Sequence, residues 1–364
     1  MAKIIWVGFP CFGPDLQAMG HECRYIDYPE PGACYGWNDL LALSGINDPD
    51  LVMVVDRSIP PFVLGVESFP CLTALYAIDT HIHSWFPYYA QAFDLCLVSL
   101  KDDIPAFLGK RLTADQVIWS PPFAGRRFAD HATAADSGKE WDVLFVGKAD
   151  PAVNPQRVEF LTRLKKLVPG LHVQSGNFAQ LFPKARLVLN HSIAGDLNFR
   201  VFEALACGAC LLTPKIAQGQ EELFEDGKDL FVFDQDDLPG LAALIERLLA
   251  DPGIRAKTAL SGYEKVCAEH LTANRAKCFS AALSRVVHSK GANGSGGSDV
   301  SGGPDSGEEP WPPELARKGV SGRLAQAAAI HSGYLRLIYL MLADTAESPE
   351  MRAAYLAAAQ NRTY

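Results

Sequence analysis

Short, unbroken apolar runs recur through this 364-residue chain, and the series starts twice. Lys3–Val7, Leu51–Val55, 71–77 and 95–100 are each apolar enough to be buried on both faces, and stretches of helical character separate them. Runs of that kind predict strands of a parallel sheet covered by helices on both sides. A polar stretch from Arg126 to Lys139 follows, and then the pattern restarts at 141–147. The helical period of Phe160, Leu161, Leu164 and Leu167 predicts a helix over 157–167. Further strands are expected at Leu171–Gln174, 187–190, 210–213 and 230–233, with helices at 238–249 and 254–270.

The expected fold class is therefore α/β: two Rossmann-like, doubly wound domains facing a cleft, plus a C-terminal helical tail. The boundaries drawn from composition are a first domain at 1–128, a linker at 129–140, a second domain at 141–286, a Gly/Ser/Pro-rich flexible linker at 287–313 and a helical segment at 314–364. The tract from Lys290 to Gly307 is too rich in Gly, Ser and Asp to bury a core. Beyond Trp311-Pro312-Pro313, helices are expected at 324–342 and Pro349–Gln360. Ile330, Tyr334, Leu337, Ile338 and Met341 form an apolar stripe that must pack on the main body or on a second copy of the chain.

A net charge of -9 without any long basic run argues against nucleic-acid binding, which draws its affinity from clustered Lys and Arg. The N-terminus lacks a signal-peptide pattern, and no apolar stretch reaches membrane-spanning length. Nine cysteines, of which Cys207 and Cys210 alone stand at CxxC spacing, suggest neither a disulfide framework nor a zinc ribbon, and that pair reads as small core residues. A reducing cytoplasm and a small-molecule partner fit these features.

The informative segment runs from Asn190 to Thr213: a strand end, a polar loop, a helix opening near Asp196, and a glycine turn into another buried strand. A helix N-terminus presents free amides and partial positive charge, which suits a phosphate. Arg200 in the first turn adds a guanidinium fork, and Glu203, three residues on, is a carboxylate able to accept vicinal ribose hydroxyls. The same spacing also fits a surface Arg–Glu pair on a core helix.

Arg200-Val201-Phe202-Glu203-Ala204-Leu205-Ala206-Cys207-Gly208-Ala209 resembles the donor-site signature of GT-B glycosyltransferases with a family-1/4-like donor domain. It is most similar to the CgeB-like, spore-maturation-protein branch. The stretch 219–233 continues the likeness, and strand 142–147 resembles the one that opens the donor domain. The resemblance implies that Glu203 holds the ribose, that Arg200 and Lys148 face the diphosphate, and that Gly147, His191, Asp196 and Asn198 line the same nucleotide-sugar site. The broader retaining families carry a second Glu eight residues before the first. Here that position is Gly195, with Asp196 beside it, where it also suits an N-cap.

In the first half, Asp79, His81 and His83 follow the strand at 71–77. His-x-His could ligate a metal, but no matching downstream set exists, and at least one of the two imidazoles suits a structural role. Their place also suits a base that takes the proton from an attacking hydroxyl, which is what the resemblance implies. Gly8 and Gly13 form a loop without the third glycine of a dinucleotide fingerprint. The expectation is a metal- and cofactor-independent glycosyltransferase. Its donor would be a UDP- or GDP-sugar, its acceptor a glycan, protein or small molecule, and its C-terminal helices a route to self-association. A catalytically silent binding protein and a sugar-nucleotide epimerase or phosphorylase are the rival readings.

Overall fold

In a computed structural model of the chain, residues 1–29, 34–57, 61–82, 86–108, 112–130, 132, 138–192, 194–292, 339, 343 and 349–360 are described. They divide into two compact units: Met1–Ser99, Asp103–Ser120 and Ala276–Tyr364 form the first, and Leu100–Asp102 with Pro121–Arg275 form the second.

The first unit is built on six parallel strands: β1 (Lys3–Val7), β2 (Glu22–Ile26), β3 (Leu51–Val55), β4 (Leu72–Ala77), β5 (Leu95–Val98) and β6 (Val117–Trp119), in the order β2-β1-β3-β4-β5-β6. Register is set with Ile5 opposite Val52 and Val52 opposite Thr73. The four strands expected from apolar runs are the inner ones, and β1 and β3 to β5 are buried along nearly their whole length. Both strands that the sequence hid are edges. β2 reads Glu-Cys-Arg-Tyr-Ile with Arg24 and Tyr25 exposed, as an edge strand allows, and β6 has three residues.

Two later parts of the chain close this core. Phe279, on the helix Thr272–Ala292, meets the Phe12 ring at 5.5 Å. From the tail, Tyr339, Ala343, Tyr355 and Ala359 are buried among Phe62, Val63, Tyr89 and Phe93. The Tyr355 hydroxyl donates to the Pro61 carbonyl at 2.8 Å. The helix Pro349–Gln360 thus docks on the first unit with its expected bounds. The stripe from Ile330 to Met341 lies outside the described residues. The helix Thr272–Ala292 runs through the boundary drawn at 286, and the Gly/Ser tract from 293 lies outside the described residues.

The second unit carries five parallel strands: β7 (Trp141–Val146), β8 (Leu171–Gln174), β9 (Ala185–Leu189), β10 (Cys210–Pro214) and β11 (Phe231–Phe233), ordered β11-β10-β9-β7-β8. Val143, Phe145, Leu187, Leu189 and Leu212 form the middle of its core, with Phe160, Leu161 and Leu164 of the helix Pro155–Leu167 and Leu241, Ile245 and Leu248 of the helix Leu238–Ala250. The helix Phe199–Ala206 packs against the helix Pro252–Glu269. A Cβ on Gly262 would strike the Asp229 carbonyl oxygen and come within 2.7 Å of Leu205 Cδ2, so only glycine lets these elements approach. Gly262→Ala is expected to cost about 2 kcal/mol through overpacking, read from the midpoint of urea unfolding. No helix among the described residues is long and apolar enough to cross a membrane.

Candidate functional site

The carboxyl ends of β7 and β9 and the first turn of the helix Phe199–Ala206 meet at Arg200. Its Nε donates to the Val146 carbonyl at 3.1 Å, and Nη1 donates to Asn190 Oδ1 at 2.9 Å. Asn190 is fully buried and is itself anchored to Thr213 Oγ1 at 3.1 Å. The guanidinium lies 5.2 Å from the Phe145 ring centre and 5.8 Å from that of Phe178. Gly147, where the chain turns out of β7, leaves the necessary space: a Cβ there would sit 3.0 Å from Arg200 Nη2 and 3.1 Å from Phe145 Cζ. Arg200 is therefore fixed by the sheet edge, with its fork already oriented.

A second arginine shares the Phe145 ring. Arg157, near the start of the helix Pro155–Leu167, lies 5.6 Å from the ring centre and donates from Nη1 to the Lys148 carbonyl at 3.2 Å. Its Nε is buried without a partner. Burial, and then the nearby Arg157 charge, pull the Arg200 guanidinium down to about 10, while Glu203 and Asp196 draw it back up. At neutral pH both arginines remain charged. Two half-buried cations held at one ring repel each other, and a bound anion relieves that repulsion.

Glu203 sits one turn along the helix and is half-buried. Burial pushes its carboxyl up to about 7, against the pull of Arg200 and Arg127. His191, just past β9, is buried against Phe160 with ring centres 4.5 Å apart, and its Nδ1 has no partner. Burial first, then Arg157 and Arg200, lower it to about 4, so it is neutral at pH 7.

The helix opens three residues later than the sequence suggested. Its N-cap is Asn198, in extended backbone, and the Asn198 side chain makes no cap hydrogen bond. Asn198 Oδ1 is buried and unpartnered. Asp196 is not the cap: it accepts the Ser192 hydroxyl at 2.7 Å. The reason is local, since Gly195 turns the chain in the left-handed region at φ 71° and Leu197, 1% exposed, is buried before the helix starts.

The structure thus gathers Gly147, His191, Asn198, Arg200 and Glu203 at one end of the second sheet, with Asp196 within electrostatic reach of both arginines. Lys148 joins through its carbonyl, while its ammonium is exposed and lies 3.7 Å from Asp150. Arg157, Arg127 and Phe178 were not singled out from sequence. Arg157 had one available signal, its place in the first helical turn after a strand ending in glycine.

In the first unit, the turn after β4 is held by Asp56, 8% exposed, whose Oδ2 accepts the amides of Ile78 at 3.2 Å and Asp79 at 3.0 Å. The Asp79 carbonyl in turn accepts the Ile82 amide at 3.0 Å. His81 is exposed, and His83 lies outside the described residues. Among the described residues, no three or more His, Cys, Asp or Glu side chains converge as a metal site requires.

Residues 126–281 match the family model described as glycosyl transferase-like. No curated protein matches the sequence. Among solved structures, alpha,alpha-trehalose 6-phosphate synthase from Burkholderia multivorans superposes with a TM-score of 0.58 at 12% identity, over 82% of this chain and all of that one (100%). HepE from Anabaena in complex with UDP and glucose gives 0.56 at 13% identity, over 78% of this chain and 100% of that chain. A glycosyltransferase from Rickettsia africae gives 0.55 at 11% identity, over 79% and 98% of the two chains. The likeness is one of fold: two parallel-sheet α/β domains of the GT-B kind.

Proposed function

We propose that the chain is a glycosyltransferase that moves a sugar from a nucleoside-diphosphate sugar to an acceptor hydroxyl without a divalent ion, a reading supported by the match of residues 126–281 to the glycosyl transferase-like model and by the GT-B fold. The supporting observation is the pair Arg157 and Arg200 at the end of β7, two guanidiniums sharing one aromatic ring at the first turn of a helix. A pyrophosphate placed there accepts hydrogen bonds from Arg200 Nη2 and from the helix amides. As the bond between the anomeric carbon and the phosphate oxygen breaks, charge grows on the leaving diphosphate, and donors already fixed in place stabilise it. Glu203 accepts the ribose hydroxyls. Asp79, His81 or His83 takes the acceptor proton.

The solved complex of HepE with UDP and glucose makes UDP-sugars the first donors to test. The motif from Arg200 to Gly208 supports the CgeB-like branch, and we assign the activity to the cytoplasm, with a glycan, protein or small molecule as acceptor. Titration calorimetry with UDP, GDP and TDP, with and without EDTA, is expected to show one nucleotide bound equally well in both conditions. If no nucleotide binds, the assignment of the donor site fails. Gly195, standing where retaining relatives carry a carboxylate, favours a second reading in which donor binds but is not turned over. Mass-spectrometric detection of donor cleavage separates the two.

Glu203 also gives a pH signature. Its folded carboxyl titrates near 7 against 4.5 in a free carboxylate, so the folded chain keeps a proton that the unfolded chain has already lost. Stability therefore falls as pH rises from 4.5 through about 7. His191 acts in the opposite sense, since its depressed imidazole makes stability fall as pH drops from 6.5 towards about 4. In Glu203→Gln the first slope is expected to vanish from melting curves taken across this range while the second persists. An unchanged profile would mean that Glu203 titrates normally.

A further inference from the structure

Beside the arginine pair lies a pocket of about 190 Å³ confined to the second unit. It is lined by the other face of the helix Pro155–Leu167, by the residues just past β9 and by those just past β11. Of the proposed donor residues it shares only His191; Gly147, Lys148, Arg157, Arg200 and Glu203 do not line it. Its floor is apolar and aromatic, formed by Phe160 and Leu238, 8% and 4% exposed. Buried against that floor is His191, 4% exposed, with its unpartnered Nδ1.

The rim is polar and mixed in sign. Gln156 and Gln235 contribute amides, Asp236 a carboxylate, and Glu159 pairs with Arg163 at 3.7 Å. Gln235 Oε1 is buried without a partner, a second unsatisfied polar atom at this pocket. A buried acceptor left unpaired costs free energy that a ligand hydroxyl recovers. Two carboxylates against one guanidinium disfavour an anion. An apolar floor under a ring of amides and carboxylates instead suits a ligand with one C–H face and several hydroxyls.

We infer that this pocket is a second binding site, separate from the donor site, for a single sugar ring or a polyol of similar size. It does not depend on the donor reading. The test uses the full chain, with saturation-transfer NMR and calorimetry against glucose, N-acetylglucosamine and glycerol, and with UDP measured in parallel. One of the three is expected to bind, and Asp236→Ala and Gln235→Leu are each expected to weaken it about tenfold while UDP affinity stays unchanged. Asp236 is exposed, so its variant folds normally, as circular dichroism would verify. The inference is overturned if none of the three ligands binds, if both variants bind as tightly as the parent, or if UDP is weakened in step with the sugar, which would make the pocket a limb of the donor site. A chain that binds sugar here but no nucleotide keeps this inference and removes the donor assignment.

Discussion

Arg200→Ala is expected to weaken nucleoside-diphosphate binding by about 2–3 kcal/mol, roughly 30- to 150-fold, measured by calorimetry at fixed salt. The reasoning rests on how the side chain is held. Val146 and Asn190 occupy Nε and Nη1, so the arginine is oriented before ligand arrives and Nη2 has no protein partner among the described residues. Little side-chain entropy remains to be lost on binding, and the charge-assisted bond forms close to its full strength. Arg200→Lys restores the charge without the fork and without the bond to Val146, and is expected to recover less than half of the loss. An Arg200→Ala protein that binds nucleotide as well as the parent would remove the site from this part of the molecule.

The second large effect concerns stability. Arg275 is 6% exposed, donates to the carbonyls of Pro121 and Pro122 at 2.9 Å each and to that of Glu269 at 3.2 Å, and lies 3.1 Å from His270 Nδ1. Burial and the Arg275 charge hold His270 down to about 3, neutral under all ordinary conditions. One side chain therefore ties the first residues of the second unit to its last. Arg275→Met keeps much of the volume but strands buried carbonyls that cannot find water, at a cost of about 3 kcal/mol. Urea unfolding followed by tryptophan fluorescence should show the midpoint shift without a change in slope. A loss below about 0.5 kcal/mol, the scale of an ordinary surface substitution, would contradict this account of the clamp.

The inner strands of the first sheet could be read from sequence because burial on both faces leaves nothing but apolar residues, as in Leu51–Val55 and Leu95–Val98. The edges of that sheet could not. Glu22–Ile26 is exposed at Arg24 and Tyr25 and so lacks the run that betrays its neighbours. Arg200 and Glu203 were legible because one helical turn joins them. Arg157 and Arg127 were not, since they reach this site only through the packing of separate helices. The opening of the helix Phe199–Ala206 was misplaced because Asp196 has the chemistry of a cap, yet the backbone around Gly195 turns it towards Ser192. A pocket such as the one over Phe160 has no local signature at all, as its walls come from three distant stretches.

Apart from Leu100–Asp102, the second unit is one continuous stretch from Pro121 to Arg275, whereas the first needs residues from both sides of it. During synthesis, Phe12 and its neighbours emerge early but must wait for Phe279 to emerge from the ribosome before the ring contact between them can form. The later-made unit can therefore complete its core while the earlier one still exposes part of its own, a reversal of the usual N-terminal-first order. Premature termination between the two would release all six strands of the first sheet with part of their apolar surface uncovered, a natural target for chaperones and proteases.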